Sequence, residues 1–125
     1  MKEYYKFLKT REEKKKLQVQ KFRKRKKAEL KDIIYELAAD IDTLKIVIVF
    51  GSIITNKEHF PVDIDIYMEV ISAEKYFSVQ RKLEEALEMP IDLHTQAENE
   101  DFIHKIKRKG EIIFERKNRN LESGD

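Results

Sequence analysis

Ile46-Val47-Ile48-Val49-Phe50-Gly51-Ser52 and, after ten intervening residues, Asp63-Ile64-Asp65-Ile66-Tyr67-Met68 decide how this chain reads. The first stretch is a run of apolar residues, as expected of a strand buried on both faces. In the second, alternate side chains of a strand share a face. Asp63 and Asp65 are then expected to project side by side, with Ile64, Ile66 and Met68 directed into a core. Two carboxylates held this close repel each other unless a cation lies between them, and hard divalent cations take carboxylate oxygens. Gly51-Ser52, at the end of the first strand, offers a backbone able to approach a phosphate and a hydroxyl donor. A phosphate cradle facing a metal-binding pair is the equipment of phosphoryl or nucleotidyl transfer. Either element alone is ordinary, since Asp-x-Asp occurs on exposed strand faces and Gly-Ser after a strand is commonly a turn. The specificity lies in the combination.

Outward from this centre the elements order themselves. Upstream, Lys2 to Asp40 contains no Gly or Pro and is rich in helix formers. Leu30, Ile33, Ile34, Leu37, Ala38 and Ile41 recur at helical spacing and form an apolar stripe. Asn56 to Pro61 reads as a loop over the site and Asp63 to Val70 as the second strand. Ser72 is a natural cap for a helix whose buried face is expected to be Ala73, Tyr76, Phe77, Leu83 and Leu87, with Pro90 stopping it. Ile91 to His94 reads as a short strand, on which Asp92 points opposite to Ile91 and Leu93. Asn99 caps the last helix, which ends in Lys105, Lys107, Arg108 and Lys109 before Gly110, in accord with the helix dipole. Ile112 to Phe114 is the last strand.

Gly51-Ser52, the ten-residue spacer and Asp63-x-Asp65 resemble the signature of the polymerase-β-like nucleotidyltransferase superfamily. From about residue 30 to residue 116 the order of elements is similar to that of minimal nucleotidyltransferase (MNT) proteins. The resemblance implies an α/β (α+β) fold: a small mixed β-sheet flanked by helices, here preceded by a long N-terminal helix. It implies Asp63, Asp65 and Asp92 as catalytic residues and metal ligands, two Mg²⁺ ions, and ATP or another nucleoside triphosphate as substrate with Gly51 and Ser52 at its phosphates. The implied reaction moves a nucleoside monophosphate, AMP foremost, to a hydroxyl of a macromolecular acceptor. The implied partner is a protein, because MNT proteins of this kind commonly act as antitoxins that modify or mask a HEPN-type ribonuclease toxin. Two departures stand out: many relatives follow Gly-Ser with an arginine-rich stretch where this chain has Ile53-Ile54-Thr55-Asn56, and often place Ser before the first Asp where it has Val62. Two rival readings follow, the first motivated by the absent arginine stretch and the second by the basic N-terminal arm. One is a catalytically weak module that masks its partner by contact. The other is an RNA-linked transferase gripping nucleic acid through its N-terminus.

At 125 residues the chain has room for one modest core. It has no cysteine, which excludes disulfide scaffolds and thiolate metal sites. No apolar run approaches a membrane span, so the expectation is a cytoplasmic protein with no membrane partner. Charge is divided unevenly. Residues 1–27 hold 13 Lys/Arg against 3 Glu, a balance of +10, and residues 28–125 hold 13 against 21 Asp/Glu, a balance of −8. The expected organisation is a basic helical arm over 1–29, a nucleotidyltransferase domain over 30–116 and a loose tail over 117–125. For the arm three readings compete: a solvated helix, a protein-binding or self-associating helix, and a phosphate-gripping nucleic-acid surface.

The remaining polar candidates are weaker. His59 sits in the loop over the site, His94 shares a strand face with Asp92, and His104 reads as a surface helix residue. Lys57 offers some of the missing positive charge but reads first as a solvated loop residue. Tyr67 shares the face of Asp65 and reads as a structural tyrosine ahead of a base-stacking one. No Ser-His-Asp, Cys-His or zinc-ligand spacing is present.

Overall fold

A computed structural model describes residues 2–56 and 58–117. Eight elements follow in the order α1 (Lys2–Asp40), β1 (Ile46–Phe50), α2 (Ser52–Thr55), β2 (Ile64–Glu69), α3 (Ala73–Leu87), β3 (Ile91–Thr95), α4 (Glu100–Lys109) and β4 (Glu111–Glu115). The four strands form one mixed sheet in the order β3-β2-β1-β4. β1 runs antiparallel to β2 and β4, and β2 runs parallel to β3. The fold is the expected mixed α+β sheet flanked by helices, with the long N-terminal helix in place.

Strand alternation divides the core into two. Val47, Val49, Ile64, Ile66 and Met68 face a layer made by α1 and α3, where Leu30, Ile34, Leu37, Val79, Leu83 and Leu87 complete the main core. Ile48 and Tyr67 point the other way and pack on Ile106 of α4 in a smaller cluster. One face of the sheet is thus fully covered, and the other is covered by a single ten-residue helix. The uncovered part of that second face holds the site.

The helix ends show how basic residues serve the fold. Arg116, just after β4, donates to the carbonyls of Leu44 at 2.9 Å and Ala38 at 2.7 Å, closing the C-terminal end of α1. Lys26 donates to the carbonyl of Leu87 at the end of α3, at 2.5 Å. Arg23 donates to the carbonyls of Ile53 and Ile54 at 2.6 and 2.8 Å, capping the single turn of α2. Cations at helix C-termini satisfy orphan carbonyls and complement the dipole. Arg23 and Lys26 are both buried, only 8% and 6% exposed, within the stretch that composition marks as a basic arm. Val19 beside them is fully buried. From Glu3 to Gln18, in contrast, every described side chain is exposed.

Two local expectations give way. The buried face of α3 is Val79, Leu83 and Leu87, at i, i+4 and i+8. Phe77 lies outside at 71% exposure, edge-on to Tyr76 with 5.2 Å between ring centroids. Ser72 stands at the N-cap of α3 with extended backbone but makes no side-chain capping bond. Asn99 does cap α4, its side-chain oxygen accepting from Asp101 N at 2.8 Å. Of the stretch expected to be a tail, residues 118–125 lie outside the described residues. Among the described residues no helix is long and apolar enough to cross a membrane.

Candidate active site

Strand pairing builds the site. Phe50 pairs with Asp65 and Ile48 with Tyr67 across β1 and β2, while Asp65 pairs with Asp92 and Tyr67 with His94 across β2 and β3. Paired residues share a face, so Asp65, Asp92 and His94 stand together on one face of β2 and β3. One ligand atom from each lies within 4.8 Å of the others, the geometry of a three-residue metal cluster. Asp63 precedes β2 in a bend and is not among these three. Its charge nevertheless reaches Asp65.

The electrostatics of Asp65 register this crowding. Burial raises its pKa first, the Asp63 charge second, and the hydrogen bond and charge of Asp92 add to both, so the carboxyl is pushed up to about 6 in spite of His94. His94 is bound on both sides: Nε2 lies 3.1 Å from Asp92 Oδ2 and Nδ1 lies 2.8 Å from Glu98 Oε1. Burial pulls the His94 pKa down, but Glu98 and Asp92 outweigh it and the net shift is upward. A cluster in which two carboxylates raise the pKa of a third, Asp65, and an imidazole is drawn in lacks positive charge. Divalent ions fit the carboxylates of such a donor set, since oxygen ligands suit Mg²⁺ or Mn²⁺.

Gly51 sits where the sequence suggested, for a reason the sequence did not show. Its φ is +79°, and a β-carbon there would fall onto the Asp65 carboxylate oxygen. The glycine is thus needed for contact between the β1–α2 turn and the carboxylate, whatever ligand binds nearby. Ser52 begins α2, a one-turn helix in which Thr55 N and Oγ1 both donate to the Gly51 carbonyl, at 3.0 and 3.1 Å. Ile53 of this turn is buried in the main core.

Other candidates separate cleanly. Tyr67 is fully buried, with its hydroxyl donating to Glu69 at 2.8 Å, and so is a core residue unavailable for base stacking. His59 and His104 are exposed and lie outside the three-residue cluster. Lys57 lies outside the described residues. His94 is the member that sequence reasoning underrated. Its position two residues after Asp92 signalled a shared face, but its partnership with Glu98 depends on the turn after β3. An aromatic cluster borders it: Phe50 lies 5.3 Å and Phe102 5.5 Å from the His94 ring, centroid to centroid.

Residues 31–119 match the family described as Polymerase beta, Nucleotidyltransferase. The chain belongs to this nucleotidyltransferase family. No curated protein sequence matches it. Several solved nucleotidyltransferase-like structures share the fold. A mutant MntA toxin–antitoxin structure superposes with a TM-score of 0.57 at 20% identity, covering 70% of this chain and 74% of that one. A toxin–antitoxin solved with AMP-PNP gives 0.57 at 22% identity over the same shares, 70% and 74%. A tri-AMPylated Shewanella oneidensis HEPN toxin in complex with MNT antitoxin gives 0.54 at 18% identity, covering 81% and 77%. At such identities the likeness carries the fold, and the chemistry of this nucleotidyltransferase must be argued from its own residues.

Proposed function

We propose that this chain is an adenylyltransferase of the antitoxin kind, moving AMP from ATP to a hydroxyl of a HEPN-type protein partner. One observation carries the reading: the strand register that sets Asp65 beside Asp92, against the Gly51 turn. The relatives solved as toxin–antitoxin pairs, one with AMP-PNP and one with an AMPylated toxin, supply the nucleotide and the class of partner.

The roles follow from position. Asp63, Asp65 and Asp92 would hold two Mg²⁺ ions, and Gly51 and Ser52 would meet the phosphates. When bound, such ions supply charge neutralisation for the triphosphate and its leaving pyrophosphate. Asp92, the most exposed of the acidic pair with His94, orients the acceptor hydroxyl and takes its proton. His94, fixed between Asp92 and Glu98, holds the Asp92 carboxylate in orientation. The acceptor oxygen bonds to the α-phosphorus, the α–β phosphoanhydride bond breaks, and pyrophosphate leaves.

A second reading has a specific observation behind it. The turn after Gly51-Ser52 buries Ile53 where many relatives carry arginine, which suits a module that masks its partner by contact alone. ATP labelled at the α-phosphate, incubated with Mg²⁺, this protein and a HEPN-type toxin as partner, separates the two. Label on the partner with release of pyrophosphate, lost in Asp92→Ala, supports transfer. Equal neutralisation of the partner by wild type and Asp92→Ala, with no label on either, selects masking.

A further inference from the structure

A cleft of about 300 Å³ opens beside the carboxylates, between the β1–α2 turn and α4. Phe50, Gly51 and Thr55 form one wall, and Phe102, Lys105 and Lys109 of α4 form the other. Residues 102, 105 and 109 recur at helical spacing on one face of α4, so both ammonium groups are carried to the same rim. Among the described residues neither Lys105 nor Lys109 makes an ion pair, whereas their neighbour Lys107 pairs with Glu69 at 3.0 Å. Gly51 belongs both to this cleft and to the contact with Asp65, so the cleft adjoins the acidic cluster.

Two charges without counterions at the mouth of a largely apolar cleft are arranged for an anion with more than one charge. The apolar wall contributed by Phe50, Phe102 and Ile106 lowers the local dielectric and strengthens an ammonium–phosphate attraction. The arginines that many relatives place after Gly-Ser are absent here, and α2 offers only Ile53, Ile54 and Thr55 in their stead.

We propose that Lys105 and Lys109 of α4 grip the β- and γ-phosphates of the nucleoside triphosphate, replacing in space the arginines missing from the Gly-Ser turn. This rests on the nucleotidyltransferase reading above and adds to it the wall that holds the leaving group. In the reaction the acceptor oxygen bonds to the α-phosphorus, and the departing pyrophosphate keeps the electron pair of the broken anhydride bond. The two lysines face the oxygens on which that charge accumulates, and the acceptor proton goes to Asp92. They bind and neutralise the leaving group and take no part in proton transfer.

Lys105→Gln with Lys109→Gln is the test, with Lys107→Gln, which removes one positive charge from the same helix, as the control. Binding of ATP with Mn²⁺, inorganic tripolyphosphate and adenosine is measured by calorimetry, after thermal melts establish that each variant folds. The expected result is at least tenfold weaker binding of ATP and tripolyphosphate in the double variant, unchanged adenosine binding and no effect of Lys107→Gln. In turnover, KM for ATP should rise more than kcat falls. Wild-type tripolyphosphate affinity in the double variant overturns the proposal and leaves the transferase reading standing. Loss of adenosine binding with tripolyphosphate retained overturns it in favour of a base pocket. No binding of tripolyphosphate by the wild type overturns the proposal, and absence of ATP binding together with absence of label transfer to the partner overturns the transferase reading as well.

Discussion

Arg23 Nε donates to the carbonyl oxygen of Ile53 at 2.6 Å, joining residues thirty positions apart in sequence. With Nη2 on the Ile54 carbonyl at 2.8 Å, the guanidinium fastens the N-terminal helix to the turn that carries Gly51 and Ser52. Phe22 adds an edge-on contact with Phe60 of the following loop, 5.3 Å between centroids. Removing a buried donor from two carbonyls costs on the order of 2–3 kcal/mol. Arg23→Ala should therefore lower the melting temperature clearly and weaken nucleotide binding with it. Deleting residues 1–18 should leave the melting temperature almost unchanged, because the described side chains there face solvent. A melt of the three proteins decides, and an equal loss in both variants would contradict the packing seen from Val19 onward.

Asp65→Asn should stabilise the metal-free protein at pH 8. The Asp65 pKa is raised from 3.8 to about 6 by burial, Asp63 and Asp92. Between those values the folded state holds a proton that the unfolded state has released, so the contribution of Asp65 to stability falls as pH rises from about 4 to 6. Asparagine escapes that loss. The gain over wild type should be present at pH 8 and vanish near pH 4, read from paired melts. Mn²⁺ should reverse the order at pH 8, protecting wild type and leaving the variant unprotected.

Gly51→Ala places a methyl group against the Asp65 carboxylate at a φ of +79°. The backbone strain alone costs on the order of 1–3 kcal/mol. A lower melting temperature is expected, together with loss of Mn²⁺ protection, because the carboxylate must move to make room. Retained protection would show that Asp65 is free to shift without leaving the cluster.

Asp92→Ala should separate binding from chemistry. The side chain is the most open of the cluster at 56% exposure, so its loss leaves the sheet intact. Transfer should fall by about a hundredfold or more, the ordinary effect of losing a proton acceptor, while ATP affinity changes much less. Single-turnover and binding measurements on one preparation check it.

The legible parts of this fold were those whose signal is local and periodic. The apolar run of β1, the alternation of β2 and the Asn99 cap of α4 all lie where the residues suggested. Strand alternation set Asp92 opposite to Ile91 and Leu93, but alone it read as an exposed acid and only the family resemblance joined it to Asp65; the register that pairs the two belongs to the sheet order. What escaped was decided across the fold. Arg23 and Lys26 read as part of a basic arm that is solvated, partner-binding or phosphate-gripping, since nothing local tells that helix ends lie within their reach. Phe77 read as core because aromatic rings usually are, yet the line Val79, Leu83 and Leu87 is what meets α1. The turn Ser52–Thr55 is too short to show a helical period. His94 joins the cluster through Asp92, 3.1 Å from its Nε2, and the Glu98 contact that fixes its other nitrogen depends on the turn after β3.

The 39-residue helix α1 has a practical consequence for any measurement of size. At 1.5 Å per residue it is about 58 Å long, against a radius of gyration of about 14 Å for a compact domain of this length. Frictional drag grows with elongation, so a single chain will travel through a gel-filtration column ahead of a sphere of its 15.0 kDa mass. Elution volume alone would then overstate its mass. Light scattering, which weighs particles without regard to shape, is the measurement on which stoichiometry with a partner should rest.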